Sequence, residues 1–162
     1  MEAFIDWIVS TRLSWFVTEF RWVWPIAETL HFCGLTLLAG TVGLFDLRVL
    51  GFVKGIAPST LHASLPWGLA GFFISVVTGV MFISGTPDQY FYNDAFKLKA
   101  VLLVLLGTNA AVYYWREHAR VRALGPYDDA PRRAKLVAAA SLVLLLAVML
   151  CGRMITFFRP PY

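Results

Sequence analysis

Glu28 and His31 stand three residues apart inside a long apolar stretch, so on a helix they share one face. An ionisable group in a membrane-length apolar segment is expensive to keep there and marks a candidate site with a partner to be found. A neutral imidazole in such surroundings still needs a hydrogen-bond partner. Glu28 is the nearest carboxylate, able to orient the ring as the carboxylate behind a metal-bound histidine does. Arg153, in the last apolar stretch, is expected to pair with Glu28, because two opposite charges are far cheaper to bury together than apart. Soft ligands gather in the same half of the molecule: Cys33 beside His31, Met81 in the second apolar stretch, and Met149, Cys151 and Met154 in the last. Imidazole with thiolate and thioether suits Cu(I), and imidazole with thioether suits a haem iron. Methionine and cysteine are also ordinary apolar filling, and His31 reads equally well as a hydrogen-bonded core histidine without a ligand.

The other polar residues carry weaker signals. His62 and His118 flank the second and third apolar stretches and could approach each other as paired ligands, but their polar surroundings point to solvated surface histidines. Asp46 and Arg48 end the first stretch and are expected to anchor it among lipid headgroups. Asn109, in the middle of the third, is expected to hydrogen-bond to a neighbouring helix. No Ser–His–Asp set, phosphate loop, HExxH or paired-carboxylate site can be assembled, so no independent catalysis is expected.

These residues are positioned by elements that the composition declares. Of 162 residues, 59% are hydrophobic and only 15% are charged, against roughly 25% charged in a soluble domain. That excludes a disordered chain and leaves too few polar groups to cover a soluble globule. Two cysteines and no CxxC pair exclude a disulfide framework or a cysteine-based zinc site. The net charge of +4 belongs to loop lysines and arginines rather than to a nucleic-acid surface. Four segments approach the roughly 20 apolar residues that a spanning helix needs: Pro25–Phe45, Pro66–Gly85, Ala100–Trp115 and Leu136–Phe158. Lys97, Lys99 and Arg116 extend the third at its ends. The spacing of small residues, Gly71, Ser75 and Gly79 on the second and Ala39 and Gly43 on the first, predicts close helix seams.

The expected fold is thus an all-α integral membrane protein, a four-transmembrane-helix bundle over residues 23–162. Residues 1–22 carry five charges among Phe4, Trp7, Ile8, Trp15, Phe16 and Phe20, which predicts an amphipathic N-terminal helix lying in the interface. Four spans put both termini on one side. That side holds Arg12, Arg21, Lys97, Lys99 and Arg159. The opposite loops hold Arg48, Lys54, Arg116, Arg120, Arg122, Arg132, Arg133 and Lys135, so they are expected to be cytoplasmic and the termini periplasmic.

Glu28–Thr29–Leu30–His31–Phe32–Cys33–Gly34–Leu35, Gly40, Phe45–Asp46–Leu47–Arg48, Pro66–Trp67, Phe96–Lys97–Leu98–Lys99, Asn109 and Gly152–Arg153 together resemble an uncharacterised family of small bacterial inner-membrane proteins, a domain of unknown function. The passage from Thr86 to Asn109 is distantly similar to copper-resistance membrane proteins of the CopD type. The resemblance implies the topology and a bacterial inner membrane. The residues imply a small redox or metal-handling subunit whose site, centred on His31 with Glu28 and Arg153, faces the periplasm and takes haem b, copper or a quinone. A structural or assembly subunit of a larger membrane complex, or of a homo-oligomer, is the alternative. A small transporter is a poorer one, since four spans lack an inverted repeat and a broken helix.

Overall fold

A computed structural model describes residues 1–158, and they form helices joined by short connections. In chain order these are α1 (Glu2–Val9), α2 (Arg12–Glu19), α3 (Val23–Leu50), α4 (Pro58–His62), α5 (Leu65–Gly85), α6 (Pro87–Phe91), α7 (Asp94–Val112), a π turn (Tyr113–Glu117), α8 (His118–Arg122) and α9 (Arg132–Phe157). Arg159 lies outside the described residues. Four stretches are long and apolar enough to cross a membrane: Val23–Leu50, Pro58–Gly85, Asp94–Arg122 and Arg132–Phe157. Each outruns its sequence-based span at one end or both, because residues near the loops are taken into the helices; of the polar ones Asp46, Arg48 and Glu117 are buried, while Asp94, Lys97, Arg120 and Arg132 stay exposed.

The N-terminal segment differs from the single amphipathic helix expected. It breaks at Ser10–Thr11 into α1 and α2, with Thr11 Oγ1 accepting from Ser14 N–H at 3.2 Å as the cap that starts α2. Ser10 and Thr11 each turn a hydroxyl back onto the preceding turn, to Trp7 and Ile8 carbonyls, which competes with helix continuation. Ile5, Ile8, Ser14 and Val17 face inward while Phe4, Trp7, Trp15, Phe16 and Phe20 stay exposed.

The long helices form two close pairs, α3 with α5 and α7 with α9, joined chiefly where α3 meets α9. The α3–α5 seam is made by glycine: a Cβ on Gly34 would stand 2.6 Å from the Gly71 carbonyl oxygen, so neither position has room for a side chain. The expected run on α5 forms this seam through Gly71 and Ser75, and its partner on α3 is Gly34. Gly79 is open, with only His31 Cε1 within 4.0 Å of where a Cβ would be. Asn109 Nδ2 donates to the Val137 carbonyl at 3.1 Å and ties α7 to α9, as its depth predicts. Asn93 closes the other end: its Oδ1 accepts from Ala95 N–H to cap α7, and its Nδ2 donates to the Ile155 and Phe158 carbonyls that end α9.

Arg48 is not a headgroup anchor. It is fully buried, and its guanidinium donates to the carbonyls of Ile56, Gly125 and Asp128, clasping the two loops at that end. Outside the clasp, Asp129 is held by Lys54 at 2.7 Å and Lys135 at 3.4 Å. These two ammonium groups keep its carboxyl below the usual carboxylate range.

Candidate functional site

Each long helix brings one small or polar group to a common depth at the end nearer the N-terminus. His31 lies eight residues into α3, Thr78 seven residues before the end of α5, Lys99 five into α7 and Cys151 six before the end of α9. At 1.5 Å per residue all four are about 8–12 Å from their helix ends. The sequence placed His31 correctly in this layer and assigned it the wrong neighbours.

His31 Nδ1 lies 2.7 Å from Thr78 Oγ1. The Thr78 hydroxyl donates to the Ile74 carbonyl one turn back at 2.8 Å. Its hydrogen is thereby committed, so His31 Nδ1–H is the donor and Thr78 Oγ1 the acceptor. A neutral imidazole protonated at Nδ1 carries its lone pair on Nε2. The Ser75 backbone also hydrogen-bonds the ring, and among the described residues no side chain bonds to Nε2. A ring held this way on one nitrogen and free on the other is the arrangement of a ligand or proton acceptor.

Lys99 was read as a flank of the third span, and the structure places it at the depth of His31. It is half-buried, within electrostatic reach of both His31 and Cys151, and in no ion pair among the described residues. Its Nζ crosses α9 at Gly152, where a Cβ would stand 3.4 Å away. The signal available in the sequence was the Gly152–Arg153 pair facing a lysine-bearing helix, but which cation turned inward depended on helix rotation.

Glu28 and Arg153 do not come together. Glu28 is exposed and accepts from Trp24 Nε1 at 3.2 Å, and its charge is felt by Tyr90. With burial as the larger cause, the Tyr90 hydroxyl is pushed up to about 12 and stays protonated. Arg153 is exposed beside Met154, Thr156 and Phe157 at a shallow surface depression. The expected ion pair fails because the α9 face carrying Arg153 is the outer one, one position round from Gly152. Thr78, not Glu28, orients the imidazole.

The soft ligands divide in the same way. Cys33, Met149 and Met154 are exposed, and Met81 and Cys151 are half-buried. Among the described residues no group of three or more His, Cys, Asp or Glu side chains is disposed to hold a metal ion. Phe82 packs edge-on against His31, with ring centres 5.4 Å apart, and Trp24 packs on Phe82 at 5.2 Å. Both rings stand nearer the helix end than His31 and cover it there.

At the opposite end, His62 and His118 are not solvated surface residues. Their ring centres are 4.7 Å apart, enclosed by Phe45, Tyr113 and Tyr114. Asp46 is buried there rather than among headgroups.

A family model described as a family of unknown function (DUF6644) matches residues 4–158 of the chain. No curated protein and no solved structure matches it.

Proposed function

The chain belongs to that family of unknown function, and we propose from its own geometry that it is a small redox subunit of the bacterial inner membrane, holding a quinone head group between His31 and Lys99. The single observation that carries the reading is the His31–Thr78 hydrogen bond at 2.7 Å, which leaves Nε2 as a fixed acceptor. Beside it stands a lysine with no counter-ion among the described residues. A quinone carbonyl accepts from the Lys99 ammonium, and a quinol hydroxyl donates to His31 Nε2, so one acceptor and one charged donor match both forms of the head group. The aromatic cover of Phe82 and Trp24 favours a ligand that arrives through lipid over a hydrated ion. Haem b or copper would use the same Nε2, but a neighbouring ammonium suits a carbonyl oxygen better than a metal cation. Lys99 takes the place that Arg153 was expected to hold as the site's cation.

The four apolar stretches support membrane integration, and the arginines and lysines around α8 and the start of α9 support a cytoplasmic loop end with periplasmic termini. Asp128→Cys, in a background lacking Cys33 and Cys151, should resist an impermeant thiol reagent on intact cells; ready labelling reverses the orientation.

The full chain in lipid nanodiscs, titrated with a short-tailed quinone, tests the site. Wild type should bind, and His31→Ala and Lys99→Met should each lose most of the affinity while His62→Ala keeps it. Equal binding by wild type and His31→Ala would sink the reading and leave a structural subunit. A visible haem spectrum or stoichiometric copper that disappears in His31→Ala would replace the quinone with a metal at the same nitrogen.

A further inference from the structure

The loop end of the bundle holds a second concentration of ionisable groups, and the His31 site does not use it. Asp46 lies fifteen residues along α3 from His31, about 22 Å by helix rise. Around it are Tyr113 and Glu117 from the π turn, His118 from α8 and His62 from α4. Asp46, Glu117 and Tyr113 are all more than nine-tenths buried, at 5%, 3% and 9% exposure. Asp46 Oδ2, Glu117 Oε2, Tyr113 Oη, His62 Nε2 and His118 Nδ1 are shielded from solvent and have no hydrogen-bond partner among the described residues.

These five atoms belong to one connected cluster. Tyr113 packs on Phe45 at 5.4 Å and on His118 at 6.0 Å, and His118 packs on His62 at 4.7 Å. Asp46 and Glu117 both lie within electrostatic reach of the Tyr113 hydroxyl. Tyr113 is also part of the buried apolar core at this end, with Phe45, Val121, Ala134 and Ala138. Buried polar atoms in native proteins are nearly always satisfied, and those without a protein partner are met by ordered water. A π turn in a long helix recurs at functional sites, and here Tyr113 and Glu117, its first and last residues, are the buried ones.

We propose that ordered water links these unpartnered groups and loads a proton onto Asp46 from the solvent at the loop end. Every charged or titratable neighbour fits that role. Arg48, on the same helix, is turned away into the loop carbonyls and does not neutralise Asp46. From α9 the Ser141 hydroxyl stands beside the carboxyl. The π turn contributes Tyr113, Tyr114 and Glu117, α8 contributes His118 and Arg122, and α4 contributes His62, with Arg122 close enough to His62 to act on it. The imidazoles pass the proton inward: each takes one on its other nitrogen from a water on the solvent side and releases one from the shielded nitrogen, His62 Nε2 or His118 Nδ1, towards Asp46. Bulk water supplies the proton, the Asp46 carboxylate receives it as O–H, and no electron moves.

Infrared difference spectra of the full chain in nanodiscs, recorded between neutral and alkaline buffer with aspartate labelled at its carboxyl carbon by 13C, test this. The expected result is a protonated-carboxyl band that is lost on raising pH, moves with the label and shifts in D2O. Asp46 is the one buried aspartate among the described residues, so the labelled wild type reads it even where a variant fails to fold. Asp46→Asn should abolish the band. The double variant His62→Phe/His118→Phe should keep it and slow its D2O shift. Absence of any labelled carboxyl band, its persistence in Asp46→Asn, or unchanged exchange in the histidine variant would each overturn the proposal.

Discussion

Gly152 leaves the room that Lys99 occupies: a Cβ on the glycine would lie 3.4 Å from the lysine Nζ. Gly152→Ala should be nearly silent, since the nearest atom is the mobile end of a long side chain. Gly152→Val should push the ammonium off its position without breaking the fold. A charge-assisted hydrogen bond contributes about 1.5–3 kcal/mol, so quinone affinity should fall roughly tenfold or more with little change in melting temperature. Unaltered affinity in Gly152→Val would place Lys99 outside the site.

Thr78 carries the orientation of His31. Thr78→Val removes the acceptor and strands a buried N–H, at a cost of about 1–3 kcal/mol, while Thr78→Ser should restore both stability and the Nδ1–H tautomer. Nitrogen-15 spectra of labelled histidine read the tautomer directly. A majority Nε2–H form in the wild type would contradict the assignment.

Arg48→Met should loosen both loops at once, because one guanidinium serves carbonyls on each. At least one buried carbonyl would go unmet, again about 1–3 kcal/mol. Limited proteolysis should appear around residues 123–131, and Arg48→Lys should rescue little, since an ammonium lacks the planar fork that reaches all three acceptors.

Asp129 brings a pH dependence of known sign. Its carboxyl is held below the ordinary range by Lys54 and Lys135. Its contribution is therefore fully present above the unfolded carboxylate pKa, about 3.9, and is lost as pH falls through the lower folded value. Protection of the 123–131 loop from an acid-active protease should decline across that window. Asp129→Asn should flatten this dependence; an identical profile in the variant would remove the claim.

The four apolar helices and their connections were legible because lipid-length hydrophobicity is a one-dimensional property: it needs only consecutive residues. His31 was legible for the same reason, as a polar residue where the pattern asks for an apolar one. Asn109 followed too, since an amide at that depth must find an acceptor and a neighbouring helix is the nearest source. The partners of His31 were not legible. Sequence offered Glu28, one turn away on the same helix, but the side chain that bonds it sits forty-seven residues on. Thr78 carries no charge to mark it.

What the sequence determined by itself was therefore the set of helices, their approximate ends and the depth of each polar residue. Tertiary structure decided which way each helix face turns. Rotation by one residue separates Gly152, under the Lys99 head, from Arg153 on the outer face. That same freedom sent Asp46 and Arg48 inward, joined His62 to His118, and let Lys99 rather than Arg153 stand beside the imidazole. The physical reason is that hydrophobic patterning is nearly uniform around these helices, so it sets insertion without setting rotation. Rotation comes from close backbone approach at Gly34 and Gly71 and from a few hydrogen bonds between distant residues.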